Sequence, residues 1–317
     1  MTPAQLRTFA AVARHGSSKA AAAELGVTEA AVSGHVAALR KELGDELFRR
    51  SAAGLSFTPG GLRLASRAVE LLGLQDQTRR EVRAAADGQR LLRIAVSSLF
   101  GEYAAPGLIE LFSTRADDLE VEMSVCAPAD FDRLLVARAI DVAIGPASRR
   151  QREGITSKEF LRYQIVAVVG VEHPLATTIG SRDLGAHTWL LGPSAVDPSS
   201  STSRMLQHLG VSEQRQRIFQ NHAAALAEAR GGHGVALCPM HTLAAELGDG
   251  RLVRVQAPRS MIEGVYATYV LRQQTPNPLA SELVRFVSTP RATQAMLTGS
   301  GANVRRFRPR VHVTLWS

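Results

Sequence analysis

Residues 16–43 read GSSKAAAAELGVTEAAVSGHVAALRKEL, and this stretch decides the fold of the N-terminal region. It predicts two helices, Ser17–Leu25 and Thr28–Leu43, which the small alanines allow to cross closely, with a tight turn at Gly26. Thr28 is a suitable N-cap for the second helix. Apolar residues at four-and-three spacing predict its inward face: Val32, Val36 and Leu39. This is the pattern of a helix-turn-helix, whose second helix enters the DNA major groove by its N-terminal end.

The residues predicted to contact DNA are small and polar residues on the second helix and basic residues around it. They are Lys19, Thr28, Glu29, Ser33, Gly34, His35, Arg40, Arg49 and Arg50. The helix residues would face base edges, and the basic side chains would neutralise phosphates. The alternative is an alanine-rich three-helix bundle with no role at DNA.

Charge is distributed unevenly along the 317 residues, which carry a net charge of +8. Residues 1–90 have a net charge of +4, residues 91–290 of −1 and residues 291–317 of +5. Basic ends on a neutral body indicate a module that binds a polyanion, although a solubilising surface would give the same numbers. The length predicts two or three domains.

Several classes of protein are disfavoured by the sequence. There is no apolar run of about 20 residues and no signal peptide, so we expect a cytoplasmic protein with no membrane contact. Cys126 and Cys238 are too few for a disulfide framework, and the 9 histidines show no metal-binding spacing. Without a nucleophile elbow or paired acids, we predict no catalytic residues, no metal, no cofactor and no enzymatic activity.

A long helix over 58–87 follows the N-terminal region, with Thr58 as N-cap and Pro59 as first residue. Four apolar residues in it have the spacing of a short coiled-coil seam: Leu62, Ala65, Val69 and Leu72. We therefore expect this helix to pair two subunits. The alternative is an ordinary amphipathic helix packed on its own domain.

From Leu91 onward short apolar strands alternate with helices, which predicts a parallel or mixed α/β sheet. A second series of strands begins near Ile165, and a late strand at Val265–Leu271 can return to the first sheet. Two α/β lobes joined by a hinge fit this order. The last 25 residues lack periodicity and are predicted to be a flexible basic tail. It adds phosphate contacts, caps a neighbouring subunit through Val311–Trp316, or has no role.

The chain resembles the LysR-type transcriptional regulators in a register that covers about 60 residues without a gap. The motifs that carry it are Leu6-Arg7-Thr8-Phe9, Ala11-Val12, the stretch 16–25, Thr28-Glu29-Ala30-Ala31-Val32-Ser33, Leu43-Gly44-Asp45-Glu46-Leu47-Phe48-Arg49-Arg50 and Phe57-Thr58-Pro59-Gly60-Gly61. Weaker matches continue at Gly101-Glu102-Tyr103-Ala104-Ala105-Pro106, 138–144 and 231–239. Glu29 replaces the family's usual Gln, and Gly34 and Ala53 stand where Arg is common, so the operator sequence does not transfer.

The resemblance implies an α/β protein with a winged helix-turn-helix (1–60), a linker helix (61–88) and a two-lobed effector domain like a type 2 periplasmic binding protein (89–290). The first lobe would hold 91–162 and 266–290, the second 163–265, and residues 291–317 would form the tail. It further implies double-stranded DNA with an interrupted palindrome as partner, a small-molecule effector, and assembly into dimers and tetramers.

Effector contacts carried over by position are Ser97, Ser98, Ala127, Ser194, Thr202 and Asn221. Small polar residues near helix N-termini suit a small anion, but helix capping would require the same residue types. Leu99 stands where many relatives have Thr, which argues against an aromatic acid. A redox switch at Cys126 and Cys238 is the less favoured reading, since a structural role is commoner for cysteines at strand ends.

Two other functions stay open at this point. The α/β lobes could belong to a cytoplasmic small-molecule-binding protein or an enzyme, with the N-terminal helices used only for dimerisation. The protein could also be an architectural DNA-binding protein without sequence preference.

Overall fold

The computed structural model describes residues 1–51, 54–86, 88–148, 153–181, 183–248, 250–272 and 277–298. These residues form two compact units. The first unit contains the described residues up to 86 together with 136–139, and the second contains the other described residues from 88 onward. The predicted α/β class with an N-terminal helix-turn-helix is confirmed.

The first unit is helical apart from one hairpin. Its elements are α1 (Pro3–His15), α2 (Ser18–Leu25), α3 (Glu29–Leu43), β1 (Phe48–Ser51), β2 (Gly54–Phe57) and α4 (Pro59–Ala86). Ser17 and Thr28 are N-caps, so α2 and α3 each begin one residue later than predicted. Gly26 ends α2 in the left-handed conformation, with φ of 63°, which glycine adopts without steric cost.

An aromatic cluster joins the helices of this unit to the hairpin, which we call the wing. Phe9 of α1 lies 6.2 Å from Phe48 of β1 and 6.3 Å from Phe57 of β2, measured between ring centroids. Phe48 and Phe57 are also partners in the hairpin register. Around these rings pack Val12, Val32 and the other apolar residues of the same core. The wing is thereby fixed to the three helices through the core.

The second unit contains one mixed sheet and the helices on its two faces. Its strands are β3 (Arg90–Val96), β4 (Leu119–Val125), β5 (Val142–Pro146), β6 (Ile155–Gly170), β7 (Trp189–Leu191), β8 (Gln216–Ile218), β9 (Val235–Pro239), β10 (Leu252–Arg254) and β11 (Met261–Leu271). Its helices are α5 (Ser98–Tyr103), α6 (Ala105–Ser113), α7 (Phe131–Val136), α8 (Ser201–His208), α9 (His222–Arg230), α10 (Met240–Leu247), α11 (Pro278–Phe286) and α12 (Pro290–Thr298). The strand order is β4-β3-β5-β11-β6-β9-β7-β8, with β10 paired to β6.

Apolar side chains divide this sheet into two lobes. On the first lobe, one cluster packs β3 and β5 against α6, α11 and α12, and another packs the opposite face against α7. On the second lobe, two clusters cover the two faces of β7, β9 and the buried half of β6. β6 and β11 run antiparallel through both lobes, with a register shift at Tyr266 and Ala267. These two strands therefore form the crossover between the lobes.

The structure corrects two details of the expected secondary structure. Residues 290–298 form α12, whose Ala292 and Met296 are fully buried in the first-lobe core, so the start of the expected flexible tail is a docked helix. Residues 299–317 lie outside the described residues. The second correction concerns β6, which begins at Ile155 rather than Ile165.

Within the described part of the chain, none of the helices combines the length and apolarity needed to cross a bilayer.

Candidate nucleic-acid interface and ligand cleft

The N-terminal half of α3 presents a polar, exposed surface. Its opposite side is held in the core by Val32, Val36 and Leu39, as the spacing predicts. Thr28 caps the helix by accepting a hydrogen bond from the Ala31 N–H at 3.1 Å. Four of the residues predicted to contact DNA lie on the exposed side: Thr28, Glu29, Ser33 and Gly34. A Cβ atom added to Gly34 would have no described neighbour within 4 Å, so another molecule can approach the backbone closely at this position.

Two other predicted DNA contacts have partners within the unit. His35 is half-buried, and its Nδ1 lies 2.8 Å from Oγ1 of the buried Thr8. Arg40 donates from Nε to the carbonyl of Glu46 at 2.6 Å and from Nη2 to the carbonyl of Phe48 at 2.7 Å. Its guanidinium also lies over the Phe48 ring at 4.8 Å from the centroid. Arg40 therefore ties α3 to the wing, and it also lines the groove between α2, α3 and the wing.

A groove of about 380 Å³ runs between the start of α2, the exposed side of α3 and the wing. Its lining residues are Ser18, Ser33, Val36, Arg40, Glu46, Phe48 and Arg49. Lys19 is exposed at the start of α2, and the Arg49 side chain is 77% exposed and paired with Glu46. Both cations are exposed, so a polyanion can reach them. The ion pair of Arg49 does not prevent this, because exposed ion pairs are weak and readily exchanged. The side chain of Arg50 lies outside the described residues, as does Ala53.

Apolar side chains on α4 are exposed along one side. Leu71 is 42%, Leu74 is 45% and Val82 is 65% exposed. At 100° per residue these three positions fall within an arc of about 80°. We call this surface the α4 apolar face. Of the seam predicted from sequence, Ala65 instead packs against the core of its own unit and Leu62 is 60% exposed.

In the first lobe, three candidate effector residues follow the carboxyl ends of neighbouring strands. β3 and β4 are parallel and end side by side, with Val96 opposite Val125. Ser97 and Ser98 follow β3, and Ala127 follows β4, as expected of ligand contacts in α/β sheets. The Ser97 hydroxyl is buried and has no hydrogen-bond partner among the described residues.

In the second lobe, the structure brings together the other three candidates around His222, which the sequence analysis did not identify. Oγ of Ser194 lies 3.2 Å from Nε2 of His222 and 3.4 Å from Oγ1 of Thr202. Asn221 is the N-cap of α9 and accepts from the Ala224 N–H at 2.8 Å. Asn221 therefore caps α9, and its predicted contact with an effector stays a prediction.

Glu102 of α5 reaches this cluster from the first lobe. Its Oε2 accepts from the His222 N–H at 2.9 Å, its Oε1 from the Ala223 N–H at 2.7 Å, and His222 Nδ1 lies 3.0 Å from Oε2. Because a carboxylate only accepts, Nδ1 of His222 carries a proton and donates a hydrogen bond to Glu102. Glu102 stood in a motif noted in the sequence, but nothing local signals its partner 120 residues away.

The two cysteines are free thiols, one half-buried and one buried. Burial, aided by the charge of Asp130 and opposed by that of Arg133, raises the pKa of Cys126 to about 11. A thiol with so high a pKa is protonated at neutral pH, and the thiolate is the reactive form.

Two family models match the chain. The model of the LysR substrate binding domain matches residues 85–289. The model of the bacterial regulatory helix-turn-helix protein, lysR family, matches residues 3–62. Together they cover most of both compact units but leave out residues 63–84 of α4.

Curated relatives and solved structures resemble the chain over most of its length. An uncharacterised HTH-type transcriptional regulator of Mycobacterium tuberculosis is 56% identical over 321 residues, which covers 100% of both chains. The RuBisCO operon transcriptional regulator of Allochromatium vinosum is 28% identical and covers 78% of this chain and 83% of its own length. The crystal structure of ArgP from Mycobacterium tuberculosis is similar in fold, with a TM-score of 0.58 at 20% identity, and covers 90% of this chain and 97% of its own.

Proposed function

The chain belongs to the LysR family of bacterial transcriptional regulators, and we propose that it binds an interrupted palindromic operator through α3. We propose further that it acts as a dimer or tetramer and responds to a small anionic effector bound between the two α/β lobes. Because its target is genomic DNA, we place it in the cytoplasm.

The observation that carries the proposal is the exposed N-terminal side of α3. Thr28, Glu29, Ser33 and Gly34 are exposed there, while the opposite side of the helix is locked into the core. A recognition helix needs this division, since it must be rigid on one side and offer polar groups to base edges on the other. Lys19 and Arg49 supply exposed positive charge beside it.

The proposed division of labour follows the boundaries expected from the sequence. Residues 1–60 bind DNA, 61–88 link and pair subunits, and 89–290 sense the effector. The α4 apolar face supports the pairing role, because exposed leucines along one side of a long helix are buried by a second copy. A twofold dimer would present two α3 helices to two operator half-sites.

The polar residues of the two lobes support the effector role. Ser194, Thr202 and His222 form a hydrogen-bonded cluster in the second lobe. In the first lobe, the Ser97 hydroxyl has no hydrogen-bond partner within the described part of the chain. An effector could change DNA binding only by binding one lobe or subunit arrangement more tightly than another.

The first experiment compares binding of the full-length protein to DNA upstream of its own gene and to a random duplex, from about 50 to 200 mM salt. We expect a preference of ~10³-fold or more and a linear fall of log K with log salt. Ser33→Asp should abolish the preference, because it places a negative charge on the face that meets DNA. Ser212→Asp, at an exposed serine of the second unit, is the matched control. Equal affinity for both duplexes, or no effect of Ser33→Asp, would contradict the proposal.

The enzyme alternative has one observation in its favour. Ser194, His222 and Glu102 are connected in the order of a serine–histidine–carboxylate triad. His222 is only 2% exposed and its ring covers Gly192, where an added Cβ would lie 2.5 Å from it. We therefore expect p-nitrophenyl acetate hydrolysis to be equal in the wild type and Ser194→Ala. Hydrolysis lost in Ser194→Ala would favour the enzyme instead.

A further inference from the structure

α5 belongs to two hydrophobic cores at once. Phe100 of α5 and Ala104, which follows the helix, are buried in the first-lobe core with residues of β3 and β5. Leu99 is buried in a cluster of second-lobe residues, and Tyr103 packs against both clusters of that lobe. The six-residue helix thus bridges the lobes, and any change in the lobe arrangement must move it relative to one of them.

Glu102 provides the polar part of this bridge. Its carboxylate accepts the first two backbone N–H groups of α9, and Asn221 accepts the next one from Ala224. The His222 imidazole adds a third hydrogen bond to the same carboxylate. This is the way a bound carboxylate ligand is held at a helix N-terminus, except that the carboxylate comes from the protein itself.

The carboxylate is stabilised in its charged form. Burial raises the pKa of Glu102, but the hydrogen bonds from the His222 ring and from the His222 and Ala223 N–H groups outweigh burial, so the pKa lies below its ordinary value. Charge-assisted hydrogen bonds of this kind are about twice as strong as neutral ones. The contact between lobes is therefore specific for an anion.

We propose that the N-terminus of α9, with the His222 ring that Ser194 contacts at Nε2, is the carboxylate-binding position of this cleft and that Glu102 is its intramolecular occupant. This rests on the proposed function of the cleft as an effector site. A carboxylate-bearing effector binds by displacing Glu102 from His222 and Ala223, which removes the polar part of the contact between α5 and the second lobe. The effector and Glu102 thus compete for the same three donors, and the outcome sets the lobe arrangement.

The test removes the internal carboxylate and supplies an external one. We expect Glu102→Ala to lower the melting temperature of the full-length protein by several degrees. Sodium acetate should raise the melting temperature of Glu102→Ala in a saturable way, and sodium chloride at the same ionic strength should not. At the same acetate concentrations wild type should not respond, because the chain holds Glu102 at the position and free acetate, which makes no other contacts, competes with it poorly. Glu110→Ala is the matched control, since Glu110 lies on α6 of the same lobe and is also partly buried.

Absence of an acetate effect on Glu102→Ala, or the same effect on wild type, overturns the proposal. If Glu102→Ala does not fold, Glu102→Gln retains the volume and loses the charge. Hydrogen exchange at His222 and Ala223 should then be at least tenfold faster in Glu102→Gln than in wild type, and unchanged exchange overturns the proposal.

The regulatory step has a separate readout. Acetate should change the operator affinity of Glu102→Ala but not of wild type, and stabilisation by acetate with no change in affinity overturns the regulatory step. Wild-type operator binding without acetate tests the proposed function on its own. Its loss, with the acetate effect intact, would reject the regulator assignment and leave the carboxylate position standing.

Discussion

A Cβ atom placed on Gly61, near the start of α4, would lie 1.9 Å from the carbonyl oxygen of Leu47. The helix can approach the segment that leads into the wing only because residue 61 has no side chain. Leu47 is itself in the left-handed region, with φ of 63°, and its N–H is held by Asp45 Oδ1 at 2.6 Å. This corner orients the wing and the linker helix.

We expect Gly61→Ala to destabilise the N-terminal unit by about 1–3 kcal/mol, because the obstructing atom is backbone and cannot rotate away. Gly34→Ala is the matched control, since it lies in open space within α3 and should stabilise that helix by up to about 1 kcal/mol. Thermal melting with hydrogen exchange on α3 and α4 would measure both. Equal effects of the two substitutions would contradict the role assigned to Gly61.

Lys19 and Arg49 are expected to contribute to affinity but not to specificity. Lys19→Ala and Arg49→Ala should each weaken binding to operator and random duplex alike and reduce the slope of log K against log salt by about 1. Fluorescence anisotropy over a salt series gives both quantities. Lys158→Ala, an exposed lysine of the second unit, should leave the slope unchanged. A loss of affinity confined to the operator would assign these residues to base readout instead.

Glu29 is expected to determine base preference at one operator position. Its carboxylate can accept from the amino group of cytosine, whereas glutamine pairs best with adenine. Glu29→Gln should therefore shift the preferred base, with a discrimination of about 1–3 kcal/mol, in competition against operator variants. Glu42→Gln, near the other end of α3 and paired with the N-terminal amine, should leave the preference as it is. An unchanged base preference in Glu29→Gln would place this side chain away from the base edges.

A measurement of the oligomeric state can show whether subunits pair through the α4 apolar face or through the seam expected from sequence. Leu62 and Leu71 are both exposed but lie about 180° apart around the helix. We expect the double substitution Leu71→Glu with Leu74→Glu to reduce the molar mass in sedimentation velocity to that of a monomer. Leu62→Glu should leave the oligomer intact. The reverse result would favour the seam of Leu62, Ala65, Val69 and Leu72.

The structural features that could be predicted from sequence are those determined by residues close to each other in the chain. The N-caps Ser17 and Thr28 and the inward residues Val32 and Leu39 follow from local capping and periodicity. β6 shows the limit of prediction from local sequence patterns. Its half from Ile165 is fully buried and was identified, whereas its alternating, partly exposed half from Ile155 was not.

The features missed by sequence depend on contacts between distant segments. Glu102 and His222 are 120 residues apart, and neither belongs to a repeating pattern that links them. Arg40 donates to the carbonyls of Glu46 and Phe48, and no local pattern of the sequence predicts these partners. α12 is short, and only its docking on the first lobe buries Met296. In each case the sequence supplies the residue type and the tertiary structure supplies the partner.

Cys126 is expected to react slowly with thiol reagents at neutral pH. Because burial raises its pKa to about 11, the thiolate fraction at pH 7 is ~300-fold below that of an ordinary cysteine with a pKa of about 8.5. The rate of alkylation by iodoacetamide should rise about tenfold for each pH unit between 7 and 9, since only the thiolate attacks. Cys126→Ser removes this reaction, and the remaining rate reports the buried Cys238. Reaction of Cys126 as fast as free cysteine at pH 7, or a rate independent of pH, would contradict a structural role and return a redox role to this thiol.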